Sequence, residues 1–169
     1  LHVLLAGKLA GAEWRFPWMP VKWFDDESAA AAPRLAEIGF RFGDRGTHTS
    51  RTIMLDELTA TLGQLPPDTD RDVYATKITE ENLLGKRTAA TRRLTNQRLG
   101  ELYGLDTTVP LFRVMRSLWE VDSQGRPLLA LLTALARDPL LRATADPVLN
   151  LDVGRELLRS DMTRAVQTC

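Results

Sequence analysis

Apolar residues recur at intervals of three and four along most of the chain, which is the spacing of one face of an α-helix. Runs of alternating β-branched residues are nearly absent, so strands have little support. No tandem self-similarity is visible at a fixed period, which argues against a solenoid. The pattern predicts an all-α, compact helical bundle with helices over residues 1–12, 28–38, 50–65, 68–82, 88–103, 110–121, 127–137, 139–145 and 153–167.

Several residues are predicted to begin or end these helices. Thr49 or Ser50 is a candidate N-cap for the third helix, Thr88 is a candidate N-cap for the fifth, and Gly104 is expected to end the fifth. Helical spacing places three groups of apolar residues on inward faces: Ile53, Met54, Leu55, Leu58 and Leu62; Val73, Tyr74 and Ile78; Ala90, Leu94, Leu99, Leu102 and Tyr103. With a break at Gly85, these three helices resemble a helix-turn-helix unit.

The chain length of 169 residues allows one compact domain or two very small ones. The predicted organisation is an N-terminal helical region over 1–105, which holds the helix-turn-helix-like unit, and a C-terminal helical region over 106–169 packed against it. The two regions can also form a single domain. Because the first residue is not methionine, we expect the native N-terminus to lie upstream.

Cysteine content and apolar runs point to a cytoplasmic protein without a membrane span. Cys169 is the one cysteine, which excludes an internal disulfide framework and a cysteine-based zinc site. The longest apolar run, 127–136, is about half of the roughly 20 residues needed to cross a bilayer. It is predicted to be a buried core helix.

Charge is balanced over the whole chain, with 22 basic and 22 acidic residues, so nucleic-acid binding would require local clustering. The segment 85–100 contains five basic residues and no acidic one. Arginine, asparagine and glutamine side chains reach phosphates and base edges, and a helix start favours a phosphate. The candidate nucleic-acid-binding residues are Lys86, Arg87, Thr88, Arg92, Arg93, Asn96, Gln97 and Arg98, with Arg51 from a second basic patch.

Two alternatives compete with this interpretation. A basic helix face is often simply solvated, or its charges pair with nearby acids, here Glu80, Glu81 and Glu101. The second patch, formed by Arg41, Arg45 and Arg51 around residues 47–50, is better explained as a capped loop.

Catalysis has weak support in the residue pattern. His2 and His48 lack metal-ligand spacing, and no phosphate-cradling glycine loop or nucleophile elbow is present. The acidic residues 25–27 and 80–81 are better explained by helix capping than by a metal-dependent nuclease site. The four tryptophans can stack on bases, but core or interface packing is favoured. The sequence therefore predicts a non-enzyme without cofactor or metal.

Several segments together resemble the BrxA family of BREX phage-defence systems. They are ENLLGKRTAATRR at 81–93, LYGLD at 102–106, PLFR at 110–113, RPLLALL at 126–132 and ARDPLLR at 136–142, with GTHTSRT at 46–52 similar to an N-terminal motif. The resemblance implies a compact helical fold like that of the antitermination factor NusB and of winged helix-turn-helix modules, with DNA binding. An inner-membrane label once attached to the family conflicts with the short apolar runs.

Carried over by position, the family's basic residues correspond to Lys86, Arg87, Arg92 and Arg93. The first hypothesis is therefore a BREX component that binds duplex DNA through phosphates with little sequence preference. The second is a protein-interaction subunit that docks other BREX proteins through apolar and tryptophan-rich surfaces. RNA binding by analogy with NusB is the third.

Overall fold

The computed structural model describes residues 26–43 and 53–167, and every regular element in these ranges is an α-helix. The all-α prediction is therefore confirmed. The helices are α1 Asp26–Ile38, α2 Leu55–Gln64, α3 Arg71–Thr79, α4 Ala89–Tyr103, α5 Pro110–Val121, α6 Arg126–Arg137, α7 Pro139–Ala143, α8 Ala145–Leu149 and α9 Arg159–Gln167. The predicted helix over 1–12 lies outside the described residues.

Backbone contacts divide the chain into two units, Leu1–Pro33 and Arg34–Cys169. The first unit contains the early turns of α1, and the second contains the end of α1 and all the later helices. There α4 packs against α3 and α6, and α6 also packs against α5 and α7. Helices on both sides of residue 105 therefore share one core.

The core lies where α2 to α6 meet. Its largest fully buried side chains are Trp119, Tyr74, Tyr103, Phe112, Leu58, Leu62, Ile78, Leu99 and Leu102. The rings of Tyr74 and Phe112 meet edge to face, with centroids 5.9 Å apart, which fits the preferred geometry of aromatic pairs. Burial of these side chains supplies most of the favourable free energy of folding.

Local sequence signals fix several helix ends as predicted. Proline at the start of α5 and α6 has no amide hydrogen to leave unpaired, and its φ angle suits a first helical position. Gly104 follows α4 with a φ of 93° and donates its N–H to the Gly100 carbonyl. The break at Gly85 also has a positive φ, of 62°.

Other helix ends differ from the predictions. The N-cap residue of α2 is Met54, in a left-handed conformation with a φ of 48° and no side-chain cap, and the candidate caps Thr49 and Ser50 lie outside the described residues. The helix predicted over 139–145 ends at Ala143, and α8 begins at Ala145. The helix predicted over 153–167 begins at Arg159, after an irregular segment.

Two predicted inward faces are partly wrong. Val73 and Leu94 are each 44% exposed, and Ala90 is also exposed. On α4 the predicted positions Leu99, Leu102 and Tyr103 are buried, and the fourth buried position is Thr95 instead of Leu94. The 127–136 run is not a fully buried helix either, since Leu128 and Leu132 face outward while Ala130 and Ala134 are buried.

A buried arginine, Arg116, closes the end of α2. Arg116, on α5, is 3% exposed and donates from Nη2 to the carbonyls of Leu62 and Leu65, 3.0 and 2.9 Å away, at the end of α2. Its Nη1 donates to Glu120. These bonds satisfy carbonyl groups that a helix end leaves unpaired.

The connection between α3 and α4 runs from Glu80 to Thr88, longer than the three or four residues that typically join a helix-turn-helix pair. The likeness to that unit and to NusB stays a prediction. Within the ranges that the structure describes, no helix is long and apolar enough to cross a membrane.

Candidate nucleic-acid interface

Helix α4 carries most of the predicted nucleic-acid-binding residues, and its start is built as expected. The Thr88 Oγ1 accepts a hydrogen bond from the Thr91 backbone N–H, 3.1 Å away, so Thr88 is confirmed as the N-cap. No acidic residue lies in the first turn. The positive end of the helix dipole therefore faces solvent without a compensating carboxylate.

Arg87 and Arg93 are the two predicted residues that present unpaired charge. Both side chains are exposed, and neither makes a hydrogen bond or ion pair with another residue in the described ranges. Arg87 directly precedes the N-cap, and Arg93 lies on the second turn of α4. Both guanidinium groups can therefore approach an anion without losing an existing partner.

Two other predicted cations are paired with carboxylates. Lys86 Nζ lies 2.9 Å from Glu57 Oε1, and both side chains are about three-quarters buried. Arg98 Nη1 lies 3.0 Å from Glu101 Oε2, one turn further along α4. Both residues were predicted to bind nucleic acid, but in the structure each charge is neutralised locally. The Arg98 pair matches the alternative raised from the sequence, whereas the Glu57 partner was not foreseen.

Arg92 was expected on an exposed turn, but it is half-buried. Its Nη1 lies 3.4 Å from the Glu80 carbonyl, and its Nε is buried with no partner among the described residues. The side chain lies against the connection that precedes α4 and not on the outer face. Replacing Arg92 would therefore disturb packing as well as charge.

Asn96 and Gln97 line a cleft beside α4. Asn96 is half-buried, and Gln97 is exposed and donates from Nε2 to Glu101 Oε1 at 2.9 Å. Residues four apart lie on the same helix face, so Arg93 sits one turn before Gln97. The free arginine on α4 and the two amides therefore form one continuous strip that ends at the cleft.

The cleft has a volume of about 360 Å³ and is lined by α3, α4, the 104–109 loop and the ends of two further segments. Three arginines contribute to its walls: Arg41, Arg71 and Arg137. The backbone of Arg41 is fixed on both sides, since its N–H donates to the Ala136 carbonyl and its carbonyl accepts from Arg142 Nη2.

Arg137 is the most enclosed of the three arginines. It donates from Nε to the Glu101 carbonyl at 3.0 Å, from Nη1 to the Gly39 carbonyl at 2.8 Å and from Nη2 to the Gly100 carbonyl at 3.2 Å. Burial, and then the charges of Arg41 and Arg71, lower the pKa of Arg137 to about 10. The guanidinium is still protonated at neutral pH.

Asp106 is the carboxylate that faces these arginines from the loop. Thr108 donates to it from Oγ1 at 2.6 Å and from the backbone N–H at 2.9 Å. These hydrogen bonds, helped by the charges of Arg71 and Arg137, lower the pKa of Asp106. Asp106 is therefore ionised at neutral pH and offsets part of the positive charge.

Arg71 and Arg137 were not predicted as site residues from the sequence, and Arg41 was assigned to a patch explained as a loop. A weak signal existed for Arg71, the first residue of α3, where the helix dipole disfavours a cation. Arg137 lies in the last turn of a helix, which is a common position for a basic residue, so its position did not indicate a role in a binding site. Arg51, with Arg45 and His48, lies outside the described residues.

Metal binding and base stacking by tryptophan have little support among the described residues. In the described part of the chain no three histidine, cysteine, aspartate or glutamate side chains come together to hold a metal ion. Trp119 is buried in the core and stacks under Arg126, whose Cζ lies 5.5 Å from the ring centroid. It offers no surface for base stacking, and the other tryptophans lie outside the described residues.

Comparisons with protein-family models, with curated proteins and with solved structures give no match for this chain. The BrxA resemblance therefore stays a prediction.

Proposed function

We propose that this protein binds nucleic acid, with duplex DNA as the primary ligand, through the phosphate backbone and without catalysing a reaction. The observation that carries the proposal is the pair of exposed, unpaired arginines, Arg87 and Arg93, at the start of α4. Phosphate contacts of this kind hold a duplex in place but carry no sequence information. The protein is therefore expected to bind duplex DNA with little sequence preference.

The pairing of Lys86 and Arg98 limits how many phosphates this surface can neutralise. Each neutralised phosphate contributes a slope of about −0.9 to a plot of log K against log salt concentration. Two free arginines predict a slope of about −2, whereas five free cations would give a slope of about −4.5. Measuring this slope distinguishes the revised surface from the one expected on sequence alone.

The direct test is fluorescence anisotropy with a short blunt duplex that carries 5′-hydroxyl ends. Arg87→Glu plus Arg93→Glu should weaken binding on the order of tenfold or more at low salt, because two attractive charges become repulsive. Arg155→Glu plus Arg159→Glu is the matched control, since both arginines are exposed and the charge change is the same. Equal binding by the two double variants would remove the proposal.

Competition in the same assay separates DNA from RNA. Duplex DNA should displace the labelled probe at lower concentration than structured RNA of equal length. The opposite order would favour the RNA-binding hypothesis that rests on likeness to NusB.

We further propose a BREX phage-defence system as the cellular setting, in the cytoplasm and with other BREX proteins as partners. What supports this is the resemblance of the 81–93, 102–106, 110–113, 126–132 and 136–142 segments to the BrxA family. Loss of phage protection when the gene is deleted from a BREX cluster, and its return with the parent gene but not with the Arg87→Glu plus Arg93→Glu variant, would test both proposals together.

A second candidate function, docking of another BREX protein, is favoured by an apolar row on α5. Val114, Leu118 and Val121 lie at helical spacing and are all exposed, Val121 by 83%. Co-purification of BREX proteins that survives high salt and nuclease, and that Leu118→Asp abolishes, would favour this role. Binding that is lost after nuclease treatment would favour the nucleic-acid role.

A further inference from the structure

The cleft beside α4 combines a defined volume with the convergence of three arginines. It has a volume of about 360 Å³, within the range of small-molecule sites. Arg41, Arg71 and Arg137 reach it from three separate segments of the chain. Convergence of like charges is unfavourable unless an anion compensates for it.

The acids in the cleft do not compensate fully. Glu101 accepts from Gln97 and from Arg98, so its charge is paired with a fourth arginine. Asp106 is then the one carboxylate among the lining residues that offsets the three arginines. The cleft is left with an excess of two positive charges.

The arginines also have hydrogen-bond donors to spare. A guanidinium has five N–H groups, and Arg137 uses one from each nitrogen on the carbonyls described above, which leaves two. The side chains of Arg41 and Arg71 make no hydrogen bond or ion pair with the residues that the structure describes. Forked N–H donors match the oxygens of a phosphate group.

We propose that this cleft binds a phosphomonoester dianion, carried by a free nucleotide or by the phosphorylated end of a nucleic-acid strand. A phosphomonoester has close to two negative charges at neutral pH, which matches the excess in the cleft, whereas an internal phosphodiester has one. The volume exceeds that of a phosphate group, and the Asn96 and Gln97 amides lie on the same wall, where they can bond a base or sugar. This proposal does not depend on duplex binding by Arg87 and Arg93.

Calorimetric titration of the full chain with adenosine 5′-monophosphate tests the site. Arg71→Gln should weaken binding on the order of tenfold, because it removes one charge and two forked donors while leaving the fold intact. Arg155→Gln, the same change at an exposed position elsewhere, should have no effect. Asp106→Asn should bind more tightly than the parent, because it removes the opposing charge and keeps an oxygen for Thr108.

Two further measurements test the charge of the bound group. Affinity should fall as the pH drops below about 6, where the monoester takes up its second proton. Dimethyl phosphate, which has one charge, should bind more weakly than methyl phosphate. Failure of the parent to bind adenosine 5′-monophosphate, or equal binding by the Arg71→Gln and Arg155→Gln variants, would overturn the proposal.

The source of the phosphate is distinguished with two oligonucleotides of one sequence. Tighter binding of the 5′-phosphorylated strand than of the 5′-hydroxyl strand, lost in Arg71→Gln, assigns the cleft to strand ends. Equal binding of the two strands, with nucleotide binding intact, assigns it to free nucleotides. The Arg87→Glu plus Arg93→Glu variant should retain nucleotide binding in either case, so failure of one proposal is not mistaken for failure of the other.

Discussion

The guanidinium of Arg137 donates a hydrogen bond to the carbonyl of Gly39 at 2.8 Å, which joins the end of α6 to the turn that follows α1. The same group holds the carbonyls of Gly100 and Glu101 near the end of α4. One side chain thus ties three separate segments together.

Replacing Arg137 should destabilise the fold more than replacing an exposed arginine that makes no side-chain hydrogen bond. Arg137→Met removes a donor from the carbonyls of Gly39, Gly100 and Glu101, of which Gly100 keeps the Gly104 N–H, and the expected loss of unfolding free energy is about 3 kcal/mol. Arg137→Lys should recover only part of this, because an ammonium group cannot span the three carbonyls. Urea denaturation measures both changes. Arg155→Met, at an exposed position, should stay within about 0.5 kcal/mol of the parent, and an Arg137→Met change of that size would contradict the prediction.

Gly39 should be far less tolerant of alanine than Gly43. Both have a positive φ, 114° and 110°, so a methyl group is strained at either position. At Gly39 the methyl carbon would also lie 2.6 Å from Val109 Cγ1, whereas at Gly43 nothing lies within 4 Å. The thermal unfolding midpoint of Gly39→Ala should lie below that of Gly43→Ala. The difference between the two midpoints measures the effect of the steric contact with Val109. Equal midpoints would show that Val109 moves aside freely.

The two tyrosines should resist ionisation until the protein unfolds in alkali. Tyr74 and Tyr103 are both fully buried, and burial raises the pKa of each phenol above 10.0. Because each pKa is higher in the folded than in the unfolded state, the contribution of the two tyrosines to stability is constant below pH 10 and falls as the pH rises further. Phenolate absorbance should therefore appear together with loss of the helical circular dichroism signal. Ionisation near pH 10 with the helical signal intact would contradict the burial.

The stabilising effect of the Thr88 cap on α4 should be measurable. Thr88→Ala removes the oxygen that accepts from the Thr91 N–H, and the expected loss of stability is about 1 kcal/mol. Thr88→Ser keeps the oxygen and should restore most of it. Urea midpoints of the three proteins give the comparison, and a serine variant as unstable as the alanine variant would show that the methyl group, not the hydroxyl, matters.

Helix type and several helix ends could be predicted because their signals are local. The prolines that begin α5 and α6, the Thr88 cap and the Gly104 end act through neighbouring backbone groups. The Met54 start of α2 could not be predicted, since a left-handed methionine has no propensity that favours it. Val73 and Leu94 were misplaced because spacing within one helix does not say which direction its neighbours come from.

The site was predicted only in part, for a related reason. Five cations in one segment are visible in the sequence, but the partner of Lys86 is Glu57, twenty-nine positions earlier in the chain. Arg41, Arg71 and Arg137 are far apart in sequence, and only the packing of α3, α4 and α6 brings them to one cleft. The density of charged residues along a chain predicts which helix face is basic. Tertiary contacts decide which of those basic side chains remain without a carboxylate partner.

Both peptide groups of Arg41 are occupied, one by the Ala136 carbonyl and one by Arg142. Although Arg41 lies outside any helix, its amide hydrogen should exchange with solvent as slowly as those of α6. With the backbone of Arg41 held in this way, its guanidinium reorients by rotation about its own side-chain bonds. An anion that enters the cleft would therefore reach Arg41 on the picosecond-to-nanosecond timescale of rotamer motion in exposed side chains.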